Sequence, residues 1–202
     1  MGTQMSETGT LYTIDRRTFV GALLADTPDA LVVTGLGSPS YDVFAQGERD
    51  RNFYLWGAMG AAVPVGLGLA LAQPEESVIV ITGDGEQLMG VGTLGSVAVK
   101  APPNLTIVVL DNGHFGETGM QRSHSSLGTS LSAVASGFGI PRAETIDSLD
   151  GAKTIAEAVV ARTQTSFFQV YIDTGEPPRA LPPRDGVAVK NKVRAALGFS
   201  TF

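Results

Sequence analysis

Three short runs collect the residue types that can hold a phosphorylated ligand together with a hard cation. They are Gly35-Leu36-Gly37-Ser38-Pro39-Ser40, Gly83-Asp84-Gly85-Glu86 and Asp111-Asn112-Gly113-His114-Phe115-Gly116. Their glycines let backbone N–H groups approach phosphate oxygens, and a helix beginning just after Gly85 would add its positive end. Mg²⁺ asks for an octahedron of oxygens, few of them from protein. Asp84 can give a carboxylate oxygen, Asn112 an amide oxygen and His114 its main-chain carbonyl, turned back by a tight turn at Gly113. Diphosphate oxygens and water would complete the shell. At Glu86 the backbone N–H, not the carboxylate, is the candidate phosphate contact, because an acidic side chain in a first helical turn is ordinary capping. A lone Gly-Asp-Gly is also a common turn, so the weight falls on spacing and company.

Gly83-Asp84-Gly85, a spacer of 25 residues and the pair Asp111-Asn112 resemble the motif of thiamine-diphosphate enzymes. The resemblance implies that Asp84, Asn112 and the His114 carbonyl hold Mg²⁺ beneath thiamine diphosphate. Upstream, Asn52-Phe53-Tyr54-Leu55-Trp56-Gly57-Ala58-Met59-Gly60 is similar to the family's turn that sets a bulky apolar side chain under the cofactor. Met59 would be that wedge, bending the two rings toward each other, and the Gly57 carbonyl would accept from the aminopyrimidine. Met is long, apolar and adaptable, although a Met on a Gly/Ala-rich segment is equally a core residue type. Gly116-Glu117-Thr118-Gly119-Met120-Gln121 resembles the sulfopyruvate and phosphonopyruvate decarboxylases. Thr118 and Gln121 would then line the reaction pocket, with His124 as a nearby general acid or as part of a surface loop.

The family activates its cofactor with a glutamate on a separate pyrimidine-binding domain. Residues 1–30 precede the first strand, too few for such a domain. The resemblance therefore implies a diphosphate-domain subunit, like a decarboxylase beta subunit, acting on a small anionic 2-oxo acid within a hetero-oligomer. The apolar edge around Phe53–Trp56 and the helix after it are expected to lie partly against other chains. A carboligase, an aldehyde-forming lyase or an oxidoreductase subunit stays open within the same cofactor class. A non-catalytic Rossmann-type nucleotide module is a different reading, but Gly35 and Gly37 are followed by Ser40, not by a third glycine. A scaffold that has lost its chemistry is a further reading, against which the intact Asp84 and Asn112 stand.

These runs need a frame that delivers them to one edge. Leu31–Thr34, Val78–Thr82, Thr106–Leu110 and Phe167–Ile172 are mostly apolar without polar alternation, as strands covered on both faces read. Between them lie helical compositions: Asp15 capping a helix through Leu24, then Ala58–Ala72, Leu88–Val99, Leu131–Phe138 and Gly151–Arg162. This alternation predicts a doubly wound, mainly parallel α/β sheet with helices on both faces, whose ligands sit beyond the carboxyl ends of the strands. Residues 1–12 read as a loose polar leader and residues 13–202 as the domain. Pro177, Pro178, Pro182 and Pro183 make an extended stretch, and Val187–Leu197 a last helix lying back on the domain or on a partner.

Composition closes off other classes. Twenty acidic against 14 basic side chains give a net charge of -6, which argues against nucleic-acid binding. The absence of cysteine removes disulfides and Cys-ligated zinc or iron–sulfur sites, and fits a cytoplasmic protein. Arg16-Arg17-Thr18-Phe19-Val20 looks like a twin-arginine export start, but its apolar run ends at Asp26 and an amphipathic helix explains it better. The apolar stretch Gly57 to Ala72 is short for a bilayer and carries Pro64.

Overall fold

The computed structural model describes residues 13–201; the leader expected over residues 1–12 lies outside them. Helices and strands alternate as α1 (Arg16–Asp26), β1 (Leu31–Thr34), α2 (Ser38–Phe44), β2 (Asn52–Tyr54), α3 (Ala62–Ala72), β3 (Val78–Gly83), α4 (Asp84–Met89), α5 (Thr93–Lys100) and β4 (Leu105–Asp111). A small hairpin follows, β5 (His114–Phe115) and β6 (Gln121–Arg122). The chain then runs through α6 (Leu131–Phe138), β7 (Arg142–Ile146), α7 (Gly151–Ala161), β8 (Ser166–Tyr171) and α8 (Gly186–Ala196). The main sheet has the order β2-β1-β3-β4-β8-β7, every neighbour parallel. No helix among the described residues is long and apolar enough to cross a membrane.

Successive side chains on a strand point to opposite faces, and this divides the core in two. Val32, Ile79, Ile81, Val108, Leu110 and Phe168 pack with Phe19, Val20 and Leu23 of α1 and Ile155 and Val159 of α7. Leu31, Val33, Val78, Val80, Ile107, Val109 and Phe167 pack with Val63 and Leu67 of α3, Leu94 of α5, Leu131 of α6 and Val193 of α8. Both faces are dry, which is why these strands read as unbroken apolar runs. The small-residue composition of α3 has a steric reason: a Cβ at Gly66 would lie 2.1 Å from Val80 Cγ2, so the helix sits close on β3.

The sheet has two strands beyond the four expected. β2 is three residues long and β7 carries an Arg142–Glu144 ion pair of 2.8 Å, so neither offers an apolar run to read. Both are edge strands, where shortness and charge hinder pairing with other chains. The helix expected from residue 58 begins only at Ala62, because Gly60 holds a left-handed φ of 90°. The helix expected over Leu88–Val99 is broken into α4 and α5 at Gly90–Gly92. A Cβ at Gly90 would meet the Gly60 carbonyl oxygen at 2.2 Å, so the break is where two turns cross. α8 lies back on this chain, its start capped by Asp185 accepting from Val187 and Ala188 N–H, both 3.0 Å.

Candidate functional site

At the carboxyl end of β3 the chain turns directly into α4, so Asp84 is its first residue instead of preceding a helix begun after Gly85. Its side chain is only 3% exposed. Oδ2 accepts from the Ser123 hydroxyl, and Ser125 Oγ lies 3.3 Å from it. Next door, at the end of β4, Asp111 is fully buried. Its Oδ1 accepts from Ser125 Oγ at 2.7 Å and Gly113 N at 2.9 Å, and its Oδ2 from Gln169 Nε2 at 2.6 Å. Ser125 thus bridges two buried carboxylates. Burial pushes the Asp84 carboxyl up to about 7, the Asp111 charge adding to the effect and the serine hydroxyls opposing it. Burial raises Asp111 as well. Such a pair holds a proton or welcomes a cation.

The loop after β4 turns at Gly113, with φ of 70°, in a conformation that L side chains resist. Asn112 Oδ1 accepts from His114 N at 3.0 Å, and His114 Nδ1 lies 2.7 Å from the Asn112 carbonyl oxygen. A carbonyl only accepts, so Nδ1 carries the proton there. Phe115 then lies across Gly85: a Cβ at that glycine would come within 2.5 Å of its ring. The β5–β6 hairpin is thereby pressed against the start of α4.

Glu86 turns its carboxylate away from the helix start. Oε2 accepts from Thr82 Oγ1 at 2.9 Å and Leu36 N at 3.0 Å, tying the β1 loop to β3. Burial raises its pKa. Its backbone N–H lies in the first turn of α4, where N–H groups lack intrahelical acceptors.

A cleft of ≈ 190 Å³ opens over these turns. Ser38, Met59, Gly83, Asp84, Gly85, Glu86, Asn112, His114, Phe115, Gly116 and Thr118 all line it. Met59 is 39% exposed, so it is a wall of the cleft and not core. Gly37, Gly57 and Ala58 border the lining residues in sequence without lining the cleft themselves. Gln121 is exposed and folded onto Thr118: Thr118 Oγ1 donates to its Oε1 and its Nε2 donates to the Thr118 carbonyl, both at 2.8 Å. His124, expected near the pocket, is exposed and outside the cleft. The β5–β6 hairpin carries the chain away there, and the His124 carbonyl accepts from Leu127 and Thr129 N–H instead.

Sequence reading gave no role to Asp111, Ser123, Ser125, Gln169, Arg16 or Asp42. Asp111 stands inside the quoted pair and could have been singled out there. The others meet only through the fold. Arg16 Nε is 3.1 Å from Asp42 Oδ2 and Arg17 Nε 3.3 Å from Asp42 Oδ1, so the apparent export motif is an anchor for α2. Burial pushes the Asp42 carboxyl up to about 6 although both guanidinium groups pull it back.

The extended proline segment runs beside the cleft. Arg179 pairs with Glu117 at 3.0 Å and stands 5.9 Å from the Tyr41 ring centroid. Trp56 Nε1 donates to the Pro183 carbonyl at 2.9 Å, and the Arg184 guanidinium covers its ring at 5.2 Å. These contacts fasten residues 179–184 to α2, to the turn after β2 and to the loop after β5.

Residues 40–170 match the family described as thiamine pyrophosphate enzyme, C-terminal TPP binding domain. The chain is 42% identical over 110 residues to sulfopyruvate decarboxylase subunit beta of Methanocaldococcus jannaschii, covering 54% of this chain and 58% of that protein. It is 46% identical over 154 residues to phosphonopyruvate decarboxylase of Streptomyces viridochromogenes, covering 76% of this chain and 38% of that protein. The fold is similar to that of the thiamine diphosphate-dependent 4-hydroxybenzoylformate decarboxylase of Rhodococcus jostii RHA1, with a TM-score of 0.64 at 21% identity over 88% of this chain and 36% of that one. The chain therefore spans only part of the length of these relatives.

Proposed function

Since the chain belongs to the thiamine pyrophosphate enzymes, as a C-terminal TPP-binding domain, we propose that it is the cofactor-binding subunit of a thiamine-diphosphate-dependent 2-oxo acid decarboxylase of the sulfopyruvate and phosphonopyruvate kind. The observation that carries the reading is the buried Asp84 carboxylate facing the cleft with Asp111 beside it. Two carboxylates removed from water are unfavourable as anions unless a cation answers them. Among the described residues, no three His, Cys, Asp or Glu side chains group into a metal cage. A bound ion would draw instead on Asp84, the Asn112 amide oxygen, the His114 carbonyl and phosphate oxygens, a mixed hard set that suits Mg²⁺. The Asn112 oxygen accepts one hydrogen bond already and keeps a second lone pair for the ion.

Thiamine diphosphate, when bound, supplies the nucleophilic carbon and the electron sink for loss of CO₂. The chain's part is to hold and orient. Ser38 and the first turn of α4 would present donors to the diphosphate, and Met59, on the cleft wall, would support the rings. Thr118, on the cleft wall, is the candidate for contact with a small anionic 2-oxo acid, and Gln121 acts only by fixing the Thr118 hydroxyl. The activating glutamate belongs to a pyrimidine-domain partner; support comes from the relative named as a subunit beta.

Titrating the chain with thiamine diphosphate and Mg²⁺, alone and with a pyrimidine-domain subunit, tests this. Mg²⁺-dependent uptake, with CO₂ release from sulfopyruvate or phosphonopyruvate only in the complex, is the expected result. No uptake in either sample would end the assignment.

A further inference from the structure

Among the described residues, Asp42, Asp84, Glu86 and Glu117 are the acidic residues that line the cleft and Arg16 is its one Lys or Arg. A diphosphate carries more negative charge than one divalent ion offsets, so a second cation in the wall has a use. Arg16 is 6% exposed and pairs with Asp42. That carboxylate is shared, since its other oxygen faces Arg17. Two guanidinium groups on one carboxylate leave the trio net positive. A guanidinium has a fork of N–H donors, and Nε of Arg16, 3.1 Å from Asp42 Oδ2, is a buried donor without a hydrogen-bond partner among the described residues. Buried donors left unanswered are costly.

Position adds a second, independent argument. A neighbouring cleft of ≈ 200 Å³ shares Arg16, Ser38, Asn112, Gly116 and Glu117 with the first but neither Met59 nor Asp84. Arg16 therefore stands where the two clefts meet. Its backbone is held firmly: Asp15 caps α1 by accepting from Thr18 N at 2.7 Å, and Ile14 bridges Ile172 beyond β8.

We propose that Arg16 is an anion-binding residue of this site, its guanidinium taking the terminal phosphate while Asp42 and Arg17 hold it in place. This rests on the cofactor assignment above. Planar, forked donors match phosphate oxygens two at a time, which lysine cannot do.

Calorimetric titration of the full chain with thiamine diphosphate and Mg²⁺, and separately with thiamine monophosphate, tests it. Arg16→Ala strands Asp42, so the paired Arg16→Met/Asp42→Asn variant, which removes both charges, is measured beside it, with melting curves for each. Diphosphate affinity should fall about 10- to 100-fold while monophosphate affinity holds within about twofold. Arg16→Lys should recover only part of the loss. Equal losses for both ligands, or none for the diphosphate in folded variants, would overturn the role of Arg16. Wild-type protein that ignores thiamine diphosphate altogether would instead bring down the parent assignment, and this one with it.

Discussion

At the Asp84 carboxyl, burial and the Asp111 charge both favour the protonated form, which lifts it from 3.8 to about 7. A folded pKa above the unfolded one means stability that is fully present below the unfolded value and lost as pH rises through the folded one. Metal-free protein should therefore lose stability between about pH 4 and 7, and Asp84→Asn should flatten that slope. In the mutant the melting temperature at about pH 8 should rise by about 2–4 °C per kcal/mol recovered. Scanning melts across pH would check it, and parallel slopes in both proteins would count against a buried anion. Mg²⁺ competes with that proton, so uptake of Mg²⁺ and thiamine diphosphate should weaken as pH falls below about 7. Asp84→Ala should cost ~100-fold or more in Mg²⁺-dependent cofactor affinity, since even residues that only support metal ligands cost 10–100-fold. Asn112→Ala should act in the same direction but less severely, a neutral ligand offsetting less charge. Calorimetry on folded variants decides both. Met59→Ala should leave diphosphate affinity nearly unchanged and lower turnover of the complex, because this exposed side chain anchors nothing in the core.

The elements act on these residues through close crossings. Gly90→Ala should drive a methyl into the Gly60 carbonyl, displacing either the turn that carries Met59 or the end of α4. A loss of about 1–3 kcal/mol is the usual cost of overpacking, visible as a lower melting temperature together with reduced turnover. No linear pattern announces that contact, since the two glycines are 30 residues apart. Elements with one strong local cue were legible: β1 and α6 occupy the ranges read from composition, and Asp15 caps α1 as its position suggests. The edge strands were not, because β2 and β7 are held by partners across the sheet and not by an apolar run of their own. In the cleft, the glycines and the Asp84 and Asn112 pair could be picked out by type and spacing. Ser123 and Ser125 could not, as they reach Asp84 only after the β5–β6 hairpin folds them back.

For the molecule as a whole, the prediction is that this chain alone releases no CO₂ from any 2-oxo acid and that a pyrimidine-domain subunit restores release. Activity from the isolated chain would contradict it. Native mass measurement should show the two chains together, with an interface on the order of 1,600 Å² or more. Part of the expected contact surface is covered by the chain itself: Lys192 of α8 sits 5.5 Å from the Tyr54 ring centroid and the Pro183 carbonyl accepts from Trp56, while Phe53 and Leu55 stay half-buried. Trp56 is the one tryptophan of the sequence. It stands three residues before Met59, with its indole N–H engaged by Pro183 and its face under Arg184. Its fluorescence therefore arises from a single, known place. Release of the proline segment would expose the indole to water and shift its emission to the red, whereas a ligand settling over Met59 would change its intensity with the segment still fastened. An optical probe for the two events is thus already built into the wild-type protein, and no label need be introduced.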